Sequence, residues 1–172
     1  MTTAAPEFSR PVALAQLHFE PFRQRIEATA EEREKLARRF DLVVLDRLEA
    51  EVVLRRQSPE TVLLEGEFSA EFEQCCAVTL EPVRGTLRDR FSLLYGPPST
   101  HEVELAFDDD APVYEPTAGD AIDIGEAVAQ ELSLDLPPFP RDPAATIEEG
   151  AAAPPLDGPF AALARLRADL EC

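Results

Sequence analysis

Hydrophobic and polar residues alternate one by one through the middle of the chain. In DRLEAEVVLRR, Leu48, Ala50, Val52 and Leu54 alternate with Glu49, Glu51, Val53 and Arg55. In TVLLEGEFSAEFEQCC, Val62, Leu64, Gly66, Phe68, Ala70, Phe72, Gln74 and Cys76 share one face. Its other face carries Thr61, Leu63, Glu65, Glu67, Ser69, Glu71, Glu73 and Cys75. In VRGTLRDRFSLLY, Val83, Leu87, Phe91, Leu93 and Tyr95 alternate with Arg84, Thr86, Arg88, Arg90 and Ser92. Period-two alternation over three segments predicts an antiparallel sheet with one buried face. The long second segment is expected to bend near Gly66 or Ser69. Upstream, EFSRPVALAQLHF (7–19) reads as an opening strand or two, broken at Pro11. Downstream, EVELAF (102–107) predicts a further strand.

The period changes to helical spacing in three places. In ATAEEREKLARRF, Thr29 and Glu32 stand at the separation of a capping box, and Leu36, Ala37 and Phe40 form one apolar side. In DIGEAVAQELSLDLPPFP, Asp123 is the expected cap and Glu126 completes a second box. Ile124, Ala127, Val128 and Leu132 share a side, and Pro137, Pro138 and Pro140 end the helix. In DGPFAALARLRADLEC, Phe160, Leu163, Leu166 and Leu170 form the apolar side of a short terminal helix. The stretch between, RDPAATIEEGAAAPP, has few large apolar residues and no period, as a linker does. The predicted organisation is an α+β domain over 1–140, a flexible linker over 141–157 and an amphipathic helix over 158–172. The expected fold is α+β: an antiparallel β-sheet or partly closed barrel flanked by a few helices, with an acidic, partly mobile C-terminal segment.

Charge changes this picture more than composition does. The net charge is −18 over 172 residues, and it is uneven. Residues 1–95 hold 17 acidic and 13 basic side chains, a net of −4, whereas residues 96–172 hold 17 and 3, a net of −14. A surface of that sign repels phosphate backbones and anionic membranes and attracts basic proteins. The run DDDAPVYEPTAG reads as an acidic, Pro-bearing loop. The stretch after Met1 lacks the charged start and apolar core of a secretory signal. No apolar run approaches the roughly 18 residues that a membrane helix needs. No membrane contact is expected, and the cytoplasm is the expected location.

Three cysteines do not make a disulfide framework. In a strand, Cys75 and Cys76 point to opposite faces, so the pair cannot easily hold one ion. Cys76 reads as a small buried apolar residue on the face of Phe68 and Phe72. His18 and His101 have no nucleophile in a recognised setting, and the scattered glycines form no phosphate-cradling loop. Asp108, Asp109 and Asp110, with Glu102, Glu104 or Glu115, could hold a divalent cation, but the spacing and the glycine of an EF-hand are missing, and a solvated acidic loop is the simpler reading. A metal-dependent hydrolase built on Asp108 and Asp110 is therefore a remote alternative.

CAVTLEPV (76–83), ELSLDLPPFP (131–140) and GPFAALARLR (158–167) occur in an order and spacing that resemble the YceD family, the large ribosomal RNA subunit accumulation proteins. The likeness runs from about Leu42 to Arg167. Many members of that family carry C-x-x-C at the first of these places and further cysteines after the Pro-rich stretch, which implies zinc. Here Cys76 holds the first such position, Thr79 stands at the second, and RDPAATIEEGAAAPP contains neither Cys nor His. One thiolate of four does not make a structural zinc site. No metal and no cofactor are expected, and the family fold is expected to hold by packing.

The resemblance implies a non-enzymatic factor in ribosome biogenesis that supports accumulation or processing of large-subunit rRNA. The charge adds an expected partner, a basic ribosomal protein bound through the acidic half, with Asp108, Asp109, Asp110, Glu115 and Phe160 as anchoring residues. The alternative is direct rRNA binding by a strand face carrying Arg84, Arg88 and Arg90, extended by Arg55 and Arg56. Glu65, Glu67, Glu71 and Glu73 weigh against it, because on a neighbouring strand they would pair with those arginines. The chain also lacks the stacking aromatics of common RNA-binding modules.

Overall fold

The structure, a computed structural model, describes residues 6–18, 20–98, 112–117 and 119–146. The chain divides into two compact units, Met1–Asp142 and Pro143–Cys172. The described part of the second is residues 143–146.

The first unit is built on the alternating segments. β3 (Val44–Arg56), β4 (Val62–Cys75) and β5 (Pro82–Gly96) form a long antiparallel meander, with β2 (Phe22–Glu27) on the outer edge of β3. β6 (Val113–Pro116) adds to β5 in parallel, giving the order β2-β3-β4-β5-β6. Among the described residues the sheet is open and mixed, so the partly closed barrel is not formed: β2 and β6 are its two edges. A separate two-stranded ladder pairs β1 (Pro11–Ala13) with β7 (Ala121–Asp123).

One face of the sheet is the core. Leu48, Ala50, Val52, Leu54, Val62, Leu64, Phe68, Ala70 and Phe72 are buried there, as their alternation requires. α1 (Ala30–Arg39) contributes Leu36 and Ala37. α2 (Ile124–Asp135) contributes Ile124, Ala127, Val128 and Leu132. Phe8 and Val12 complete the cluster from the N-terminal segment.

Several expectations are corrected by particular contacts. Pro11 opens β1, where its missing N–H costs least, and a 3-10 turn over Leu14–Gln16 follows. No register shift marks the expected bend near Gly66 or Ser69: β4 pairs with β5 without interruption from Val62–Tyr95 to Cys75–Pro82. Gly66 instead admits the Phe91 ring, whose atoms come within 2.4 Å of where a Cβ would stand. Val113–Pro116 is a strand and not part of an acidic loop. Residues 102–107, most of the predicted linker and the terminal helix lie outside the described residues.

Side-chain bonds tie the N-terminal segment to both helices. Thr29 caps α1 and Glu32 closes the capping box, as the spacing predicts. The Glu32 carboxylate also accepts from Arg10, Nη1 to Oε1 at 2.7 Å and Nη2 to Oε2 at 3.0 Å. Those bonds hold the Glu32 carboxyl at about 2, against an ordinary 4.5. Asp123 caps α2 by accepting from Gly125 and Glu126 backbone N–H, and it also receives Ser9 Oγ at 2.6 Å and Arg10 N at 2.7 Å. The second capping box is only half made: the Glu126 side chain reaches Arg39 on α1 at 2.8 Å.

Candidate functional site

The outer face of the sheet is charged, and the strand register sorts its charges. Across one row stand Arg25, Glu51, Glu67 and Arg90; across the next, Glu27, Glu49, Ser69 and Arg88; across a third, Arg47, Glu71 and Thr86. Acidic side chains therefore concentrate on the two central strands and arginines on their flanks. Opposed signs at these separations attract.

The expected RNA-binding arginines lie on this face and are bonded. Arg88 and Arg90 converge on Glu67: Arg88 Nε donates to Oε1 at 2.7 Å and Arg90 Nε to Oε2 at 2.9 Å. Arg84 Nε donates to Glu73 at 2.8 Å. Arg55 pairs with Glu65, and Arg25 and Arg47 share Glu49. Arg56 turns away and donates to the Leu14 and Leu17 carbonyls. The two arginines hold the Glu67 carboxyl below its ordinary range. The cross-strand pairing weighed from the sequence is what the register produces.

The opposite situation holds beyond the inner side of β5. Asp89 on β5, Glu115 on β6, and Glu131 and Asp135 on α2 form an acidic end. Burial, and then the charges of Asp135, Glu115 and Asp89, push the Glu131 carboxyl up. Burial together with Asp89, through its charge and a hydrogen bond, pushes Asp135 up. Burial takes the Tyr95 hydroxyl to about 12, with Glu115 and Glu131 adding to the shift. Among the described residues, no salt bridge reaches any of these four carboxylates.

Of the predicted anchoring residues, Glu115 is placed here, on an edge strand opposite Tyr95. Asp108, Asp109, Asp110 and Phe160 lie outside the described residues. Glu131 and Asp135 were not singled out from the sequence, where they read as the polar side of a helix. Their signal was available: two acids in the last turns of a helix that has no base there.

Cys76 also departs from expectation. β4 ends at Cys75, and Cys76 enters the turn leading to β5. It is buried, yet it is not merely an apolar filler. Its sulfur accepts backbone N–H groups from Val78 at 3.4 Å, Thr79 at 3.5 Å and Asp142 at 3.4 Å. The Thr79 hydroxyl, then these amides, lower the thiol to about 7 from 9.0. Ala77 N–H donates to the Pro140 carbonyl at 2.7 Å, so the turn and the Pro-rich segment are joined twice. Among the described residues no three His, Cys, Asp or Glu side chains are grouped to hold a metal. The residues around Cys76 do not fit a structural zinc: among the described residues Cys76 has no group of further ligands, and Thr79 offers a hydroxyl where a second thiolate would be needed.

Among the described residues no helix is long and apolar enough to cross a membrane. No curated protein and no solved structure matches this chain. A family model described as large ribosomal RNA subunit accumulation protein YceD matches residues 64–167, from β4 through α2 to the C-terminal segment. That match covers more than half of the sequence and takes in all three stretches that carry the resemblance, so the chain belongs to the YceD family.

Proposed function

We propose that this chain is a non-enzymatic factor of ribosome biogenesis in the cytoplasm, and that it acts by binding a basic ribosomal protein through its acidic half. The family name implies a role in accumulation of large-subunit rRNA. The observation that carries the finer reading is the different state of the two charged regions. Arg55, Arg84, Arg88 and Arg90 of the sheet are paired with glutamates on the adjacent strand, whereas Glu131 and Asp135 at the C-terminal end of α2 have no basic partner among the described residues. A phosphate backbone approaching the sheet must displace carboxylates from the guanidinium groups, and one approaching α2 meets like charge. A Lys- and Arg-rich polypeptide gains attraction at α2 without displacing a bond. Shielding such a polypeptide before assembly links an acidic protein to rRNA accumulation without direct contact with rRNA.

The test presents tagged full chain separately with naked large-subunit rRNA and with RNA-free proteins extracted from purified large subunits. Basic proteins are expected to be retained at low salt and released as the Debye length shortens, and rRNA is expected to pass through. Retention of rRNA with no retained protein would reverse the assignment in favour of the arginine face.

A further inference from the structure

The two helices differ in charge at their C-terminal ends. α1 has Glu31 and Glu32 in its first turn and Arg38 and Arg39 in its last, which suits the helix dipole. α2 ends with no basic residue in its last turn, and Glu131 and Asp135 stand one turn apart at that end. Carboxylates there face the negative pole of the helix, and Asp89 approaches from β5. Two large apolar side chains are exposed in the same stretch of chain, Leu134 on the helix at 76% and Phe139 four residues past Asp135 at 82%, while the core positions of the same helix are almost wholly buried. Gln74 holds the intervening segment in place by donating to the Pro137 carbonyl at 3.3 Å. A negative helix end with no basic partner among the described residues, followed by exposed apolar side chains, is complementary to a cation with an apolar neighbour.

We propose that the C-terminal end of α2, with Glu131 and Asp135 as the charged edge and Leu134 and Phe139 as the apolar contact, is the docking surface for a basic polypeptide segment that carries an apolar anchor. This rests on the basic-partner reading above and locates it. Lysine or arginine side chains of the partner take the place at the helix end that no residue of α2 fills. Its anchor covers Leu134 and Phe139, so charge alone does not account for the contact.

The experiment uses full chain and RNA-free proteins extracted from purified large ribosomal subunits as the probe. Two double variants are compared with wild type, Glu131→Gln with Asp135→Asn and Leu134→Ser with Phe139→Ser. Each is expected to weaken retention about tenfold or more. A control removes the same charge from exposed residues elsewhere, Glu20→Gln with Glu60→Gln, and is expected to stay within about twofold of wild type. The carboxylate variant is expected to melt at a higher temperature than wild type, because repulsion at the helix end is relieved. Loss of binding with a gain in stability separates a docking role from a folding role. If both double variants bind as wild type does, this surface is wrong while the basic-partner reading stands. Wild type that retains none of the proteins refutes both. Equal loss in the control shows that net charge alone acts and overturns the localised surface. A dimer of the free chain that Leu134→Ser with Phe139→Ser dissociates assigns the surface to a second copy and overturns the proposal as well.

Discussion

On the basic-partner reading, removing glutamates from the outer sheet face should create RNA binding that wild type lacks. The perturbation is Glu65→Gln, Glu67→Gln and Glu73→Gln together, which keeps the shape of each side chain and removes its charge. Those three carboxylates hold Arg55, Arg88, Arg90 and Arg84, and the arginines of β5 are already about four-fifths exposed. Four guanidinium groups are thereby released on a surface whose net charge rises by three. With single-stranded RNA each phosphate neutralised contributes about −0.7 to the slope of log K against log salt, so the triple variant should show a slope near −2.8 where wild type shows almost none. The assay is fluorescence anisotropy of a labelled rRNA fragment, titrated at several salt concentrations. Melting temperatures should move little, since exposed pairs of this kind contribute little to stability. Wild type with a slope already steeper than about −2 would refute the reasoning, because the arginines would then be exchanging glutamate for phosphate unaided. A triple variant that still ignores RNA would refute it from the other side.

Other consequences follow from single contacts. Glu32→Gln should destabilise by at most about 3 kcal/mol, and by about 1–2 after allowance for solvent screening. Because the Glu32 carboxyl is depressed to about 2, that contribution is present above its ordinary 4.5 and is lost as pH falls toward 2; melts of wild type and variant should converge there. Cys76→Ala should cost more as pH rises from about 6 to about 9, since the depressed thiol contributes stability above its unfolded value and loses it on acidification through about 7. Gly125→Ala should unfold more readily than Gly66→Ala. At Gly125 a Cβ meets the Phe8 carbonyl oxygen at 2.4 Å, a backbone group, whereas at Gly66 it meets a half-exposed ring whose removal in Phe91→Ala should restore about 1 kcal/mol or more.

The fold was legible where local signals were strong. Three strands announced themselves through alternation, and the caps of both helices through Thr29, Glu32 and Asp123. β2 escaped because its alternation of Phe22, Gln24 and Ile26 lasts only six residues and includes a polar member on the inner side. β1 falls within the predicted opening stretch, whereas β6 and β7 are three or four residues long, and pairing partners far along the chain define them. Glu126 was assigned to its own helix because sequence spacing cannot see Arg39, 87 residues away. The burial of Cys76 was legible, but the strand was extended by one residue too many. One step past its end, the face rule gives way to turn geometry, and the sulfur acquires donors from Asp142.

The charge of the site was legible in amount and sign, and its location required the register. From the sequence, pairing of the arginines on one strand with the glutamates on another was an explanation that depended on those strands being neighbours. Side-by-side pairing of β4 and β5 turns them into one surface that largely cancels itself. Cancellation there shifts the burden of the chain's negative charge to places where, among the described residues, no arginine is paired, and the C-terminal end of α2 with Glu131 and Asp135 is one of them. A helix designed only to pack would have placed a base in its last turn, as α1 does with Arg38 and Arg39. The core-facing residues of α2 are nevertheless well chosen, with Ile124, Val128 and Leu132 wholly buried. The packing side of the helix is thus optimised while its C-terminal end is left unfavourable, which is the pattern expected when one end of an element answers to a partner rather than to its own fold.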